Sequence, residues 1–139
     1  MQALAQKNAK DRPGPRQYSG LAPESEPETR AVTDLCRRVA FRHVVALHSQ
    51  GEEIYWQYGE DTPPQSHIMA QVLGAASGYT VTAPTGMASH GGFKDWFIRC
   101  FHRPGFTIEL GRGVNPLPVE EFEAIYDKAR EMLTLSVLL

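Results

Sequence analysis

The chain has 139 residues, 42% of them hydrophobic, with 14 basic and 16 acidic side chains, five histidines and a formal net charge of −2. That length holds one domain with a modest core, and the charge balance leaves no basic footprint for nucleic acid. No apolar run approaches the ~18 residues of a membrane helix, and Met1–Arg16 is polar and basic without an apolar stretch, so neither a membrane anchor nor a secretory signal is read and the default compartment is the cytoplasm.

Met1–Ala22 mixes Lys, Arg, Gly and Pro without hydrophobic period and reads as a mobile lead-in or severed linker, with the domain proper over 23–139. Ser25-Glu26-Pro27-Glu28 has the chemistry of a helix start: a capping hydroxyl, a proline suited to the first turn and acids for the positive end of the dipole. Ala31, Val32, Leu35, Val39 and Ala40 continue it as an apolar stripe. The two cysteines, Cys36 and Cys100, lack CxxC or zinc-finger spacing and read as buried thiols, a single disulfide being the alternative. Val44–Leu47 is an apolar, β-branched run that predicts a buried strand ending in His48, Ser49 and a turn at Gly51. Ligands of open α/β sheets sit beyond the carboxyl ends of strands. His48 therefore stands where a metal ligand or acid–base group is useful, a capped or partly exposed histidine being the ordinary alternative.

Glu52–Asp61 reads as an aromatic, acidic loop. Pro63-Pro64 opens a second helix to about Ala76, stopped by Gly78. Tyr79–Thr82 is a short polar β-like piece, Thr85–Gly92 a Gly/Ser loop, and Phe93–Phe101 a helix with Trp96, Phe97 and Cys100 inward. In Pro104–Gly111, Phe106, Ile108 and Leu110 alternate with Thr107 and Glu109, so Glu109 lies on the face opposite the apolar row. A glutamate there costs free energy if that face is buried and unpaired; a solvated edge strand is the alternative. The last helix runs from about Val119 to Leu133, with Phe122, Ile125, Ala129 and Leu133 at helical spacing. The order predicts an α/β fold, part of a mixed, mostly parallel sheet flanked by helices. Two clear strands and one weak one are few for such a sheet.

Leu47-His48-Ser49-Gln50-Gly51, followed by Gly105-Phe106-Thr107-Ile108-Glu109-Leu110-Gly111, resembles the carboxyl-terminal half of the zinc carboxypeptidases. Tyr18-Ser19-Gly20 with Ser25–Glu28, and Gly91-Gly92-Phe93-Lys94-Asp95-Trp96, agree with it. Phe93–Ile98 and Gly113-Val114-Asn115-Pro116-Leu117-Pro118 are most similar to the bacterial branch that cleaves γ-D-glutamyl–diamino-acid bonds in cell-wall peptides. The resemblance spans Gln17–Leu133 and implies a catalytic zinc. It makes His48 the third zinc ligand and Glu109 the general base, which takes a proton from the attacking water and passes it to the leaving amine. Lys94 falls at the floor of the side-chain pocket, where a cation favours a substrate with an extra carboxylate such as diaminopimelate; a solvated helix lysine is the alternative. The place of the family's mobile tyrosine falls on Met87, which cannot donate a hydrogen bond, and leaves His90 or Tyr79 as substrate-binding candidates.

The departures from the family pattern define the functional expectation. The first two zinc ligands of the family form a His-x-x-Glu pair, and the residues three after His43, His48, His67, His90 and His102 are Ala46, Gly51, Ala70, Phe93 and Gly105. His43 is at odd spacing from His48 and belongs to the other strand face. His48 and Glu52 can approach across a turn, but two ligands are too few for catalytic zinc. The Asn-Arg pair that grips substrate in the family is also absent. The expectation is the carboxyl-terminal portion of a zinc peptidase acting on a peptide or γ-glutamyl amide bond, inactive alone. The alternatives are a non-catalytic truncated product or pseudo-enzyme, and an amino-acid deacylase of the same fold. Its partner is a peptide or cell-wall peptide, and an exposed sheet edge is expected to drive association.

Overall fold

The computed structural model describes residues 12–14, 18, 20–83 and 92–139. The chain divides into two compact units, Met1–Arg42 and His43–Leu139. Among the described residues of the first is helix α1, Pro27–Arg38, with Pro27 in its first turn and Arg37 and Arg38 at its carboxyl end, where the dipole favours cations. The cap differs from expectation: Glu26 holds the N-cap position without a side-chain bond, and Ser25 Oγ donates instead to Glu26 Oε1 at 2.9 Å. Arg37 grips both oxygens of Glu24 at 2.7 and 2.9 Å.

The second unit is a four-stranded sheet of β1 (Val44–His48), β2 (Glu53–Tyr55), β3 (Thr80–Thr82) and β4 (Gly105–Glu109), in the spatial order β1-β4-β2-β3. β1 pairs parallel with β4, β2 parallel with β3, and β2 antiparallel with β4. The fold class is the expected mixed, mostly parallel sheet with helices. The strand count is corrected: Glu53–Tyr55, read as loop, is a strand whose Ile54 is fully buried. Among the described residues three helices join it: α2 (Gln65–Ser77), α3 (Phe93–Phe101) and α4 (Phe122–Leu138), the last preceded by a 3-10 turn at Val119–Glu121. Gly78 ends α2 in the left-handed region at φ 75°, a conformation that costs glycine nothing.

The alternation in β4 sorts its two faces. Phe106 and Ile108, both 0% exposed, join Ile54, Leu73 of α2 and Met132 of α4 in one core cluster. Burying each such side chain is worth about 1.5–3 kcal/mol. Gly105 lies on the other face, where α3 comes so close that an added Cβ would stand 3.3 Å from Ile98 Cγ1, Lys94 Cγ and the Lys94 carbonyl. An alanine there would require the helix to give by a few tenths of an ångström. α3 buries Lys94, Asp95, Phe97 and Ile98, so Cys100, expected inward, is exposed; Cys36 is buried as expected. α4 buries Ala129, Met132 and Ser136, whereas Phe122 and Leu133 of the expected stripe are 57% and 38% exposed. Those two line an apolar groove of about 520 Å³ with Leu47, Leu110, Ile125 and Tyr126.

Candidate active site

Strand register brings two predicted site residues together. His48, the last residue of β1, is the Cα partner of Glu109, the last residue of β4, and Glu109 is in turn the partner of Glu53 at the start of β2. Partners across a ladder lie about 5 Å apart and present their side chains to the same face. His48, Glu109 and Glu53 therefore form one row across three strands. Thr107 and Tyr55, also register partners, form the next row down that face. Glu53 and Glu109 flank Gly51, whose added Cβ would lie 3.5 Å from Glu53 Oε2 and 3.6 Å from Glu109 Cβ. The Tyr55 hydroxyl donates to Glu53 Oε2.

The electrostatics follow from this geometry. Burial pushes the Glu109 carboxyl above its ordinary pKa; His48 pulls it down and the Glu53 charge raises it further. The bond to Glu53, together with burial, pushes the Tyr55 hydroxyl up to about 12. A carboxylate of raised basicity at the end of a strand, open on one side, is equipped to take a proton from water.

Backbone bonds hold the two strand ends together. Leu110 N donates to His48 O at 2.8 Å, and the amides of Gly51 and Glu52 both donate to Gly111 O at 2.8 and 3.0 Å. Asn115 reaches across, its Nδ2 donating to Ser49 O at 3.0 Å while Ser49 Oγ donates to its Oδ1 at 3.2 Å. The Ser49–Gln50 and Asn115–Pro116 peptides in these turns are cis. Glu52 is engaged by two cations: its carboxylate takes Lys128 Nζ at 2.9 Å and Arg112 Nη2 at 3.5 Å. The acid that shares the row of His48 is Glu53, one residue on. His43 behaves as its odd spacing requires, its ring edge-on to Phe106 at 6.5 Å on the opposite face.

Lys94 is 3% exposed, beneath the Gly105 end of the face whose upper end carries Glu109. Along β4 that separation is about 13 Å. Its ammonium donates to Asp95 Oδ1 and, at 2.8 Å, to Gln57 O, and lies 5.8 Å from the Tyr58 ring centroid. The solvated-lysine alternative is thereby replaced by a buried, paired cation. His90 lies outside the described residues. Tyr79, the other stand-in for the mobile tyrosine, is 4% exposed and its hydroxyl accepts from Gly111 N at 3.2 Å, which makes it part of the scaffold.

The sequence reading missed Glu53 and Tyr55. The signal was present in Glu53-Ile54-Tyr55, an apolar β-branched residue between two polar-tipped ones, but three residues are too short a period to separate from a loop. The zinc that the resemblance implies does not fit this donor set. Among the described residues no three His, Cys, Asp or Glu side chains are grouped so as to hold a metal ion, whereas a catalytic zinc takes about three protein ligands.

Comparison with known proteins agrees with this architecture. Residues 2–132 match the family described as zinc carboxypeptidase. The chain is 47% identical over 117 residues to gamma-D-glutamyl-L-diamino acid endopeptidase 1 of Lysinibacillus sphaericus, covering 84% of this chain and 29% of that protein. It is 31% identical over 110 residues to carboxypeptidase B2 of Rattus norvegicus, covering 67% of this chain and 26% of that protein. Among solved structures, bovine thrombin-activatable fibrinolysis inhibitor, in complex with tick carboxypeptidase inhibitor, shares the fold. Its TM-score is 0.71 at 24% identity, covering 84% of this chain and 46% of that one. The chain thus spans under a third of the length of these two curated relatives.

Proposed function

The chain belongs to the zinc carboxypeptidase family, and from that premise we propose that it supplies the proton-transfer half of a peptidase site that hydrolyses a γ-glutamyl–diamino-acid amide bond. The observation that carries this reading is the register row of His48 and Glu109, with Glu109 raised in basicity by burial. Glu109 takes a proton from the attacking water and returns it to the leaving amine. His48 would offer one imidazole toward the family's metal, which takes about three protein ligands, and no His-x-x-Glu pair occurs within these 139 residues to join it. Lys94 has three N–H donors, two of them engaged by Asp95 and Gln57, and offers the third to a carboxylate of the substrate. The choice of bond follows the Lysinibacillus relative, whose name specifies a γ-D-glutamyl-L-diamino acid substrate.

The apolar groove between Leu47, Leu110 and α4 belongs, in this reading, to the contact with the remainder of the family's fold, which in that relative makes up most of the length. The decisive experiment is a chimera in which this chain replaces the matching part of the Lysinibacillus endopeptidase. The chimera is expected to hydrolyse a γ-D-glutamyl-diamino-acid peptide, with Glu109→Gln lowering kcat by roughly 10²–10⁴-fold, the usual worth of a positioned acid–base group. A chimera that keeps its activity after Glu109→Gln overturns the assignment.

A further inference from the structure

Glu53 has no part in the chemistry assigned to His48 and Glu109, yet it shares their row and their face of the sheet. Its Oε2 accepts from the hydroxyl of Tyr55, which stands in the Thr107–Tyr55 row, and lies 3.5 Å from where a Cβ on Gly51 would stand, beside Glu109. Among the described residues no lysine or arginine forms an ion pair with it, although Glu52 beside it has two, Lys128 and Arg112. Its charge is felt around it, raising both Tyr55 and Glu109. A half-buried carboxylate held in place by a phenol, without a cationic partner among the described residues, is complementary to an ammonium group.

We infer that Glu53, positioned by Tyr55, is a specificity-determining residue that takes the second, unacylated amino group of a diamino-acid substrate. The inference rests on the γ-glutamyl–diamino-acid reading above, because a diamino acid joined through one amine keeps the other free and cationic near neutral pH. Glu53 sits on the wall of the face that runs from Glu109 down to Lys94. The ammonium is therefore read between the scissile bond and the buried Lys94–Asp95 pair, with Tyr55 and Thr107 as the intervening surface. A single acid opposite the ammonium separates diamino acids from monoamino acids of the same length, a distinction that Lys94 cannot make.

The test uses the 139-residue chain itself and two probes that differ only by one ammonium, 2,6-diaminopimelate and 2-aminopimelate, with dissociation constants from calorimetry or NMR titration. Wild type is expected to bind the diamino acid at least tenfold more tightly. Glu53→Gln is expected to bring the two ligands to parity, with the urea midpoint showing that the fold is retained. Tyr55→Phe, which keeps the charge and loses only the orienting hydroxyl, is expected to leave a reduced preference. Equal affinity of wild type for the two ligands, no binding of either, or a preference that survives Glu53→Gln overturns the inference. The peptidase reading fails separately: a chimera indifferent to Glu109→Gln, with the ligand preference intact, refutes that reading and leaves Glu53 its role.

Discussion

Replacing Asp95 with Asn tests the burial at the base of the site. Lys94 and Asp95 are each 3% exposed, their charges in direct contact, and among the described residues Lys94 has one other hydrogen-bond acceptor, Gln57 O. Asp95→Asn keeps the shape and an oxygen able to accept from Gly92 N, now at 3.3 Å, but leaves the ammonium buried without its counter-charge. Breaking one side of a buried pair typically costs about 3–5 kcal/mol, whereas replacing both members by apolar groups of similar volume is near neutral. The Lys94→Met/Asp95→Leu double variant should therefore cost only about 1 kcal/mol, the worth of the lost cap at the start of α3. For a chain of this size the single substitution corresponds to a fall in Tm of roughly 10–20 °C. Urea unfolding followed by circular dichroism on wild type, Asp95→Asn, Lys94→Met, Asp95→Leu and the double variant gives both the cost of the lost counter-charge and the cycle. A cost below about 1 kcal/mol for Asp95→Asn, or a double variant as damaged as the sum of the singles, refutes the buried pair and returns Lys94 to the role of an ordinary solvated lysine.

Two further outcomes are expected. The folded-state pKa of Glu109 is raised, so its ionisation opposes folding: the two states match below the ordinary carboxylate pKa of 4.5, and the penalty grows as pH rises above it, complete above the raised value. Glu109→Gln should thus be more stable than wild type at neutral pH and indistinguishable in strongly acid buffer; urea midpoints across that range that show no such divergence contradict the cause assigned. The apolar groove should make the isolated chain self-associate, and Phe122→Asp, at a position 57% exposed in that groove, should suppress it. Sedimentation of wild type as a clean monomer at high concentration counts against an uncovered interface.

Much of the site was legible where a period was long enough to read. The alternation over 105–109 placed Glu109 opposite Phe106 and Ile108, and those two are fully buried on the other face. Helix α3 begins and ends at the expected residues because Phe93–Phe101 is bounded by Gly92 and by His102, which takes the left-handed conformation at φ 49°. β2 was not legible, since its three residues are defined by pairing with β4 more than fifty positions away, and no local pattern encodes that. With β2 went Glu53 and Tyr55. The fate of Lys94 was equally hidden: adjacent opposite charges at 94 and 95 read the same on a wet surface as in a core. Only the approach of α3 over Gly105 decides between them. Cys100 was misplaced because the buried arc of α3 runs through Lys94, Phe97 and Ile98, and position 100 falls just outside it.

The central claim is that His48 and Glu109 form one part of a metallopeptidase site that these 139 residues do not complete. Zinc titration of the purified, dialysed chain, wild type against His48→Ala, tests it most directly. The account predicts binding weaker than about micromolar for wild type, short of the tight affinity of complete zinc sites. Stoichiometric binding tighter than that, abolished by His48→Ala, would show that this chain completes a zinc site by itself and would contradict the account.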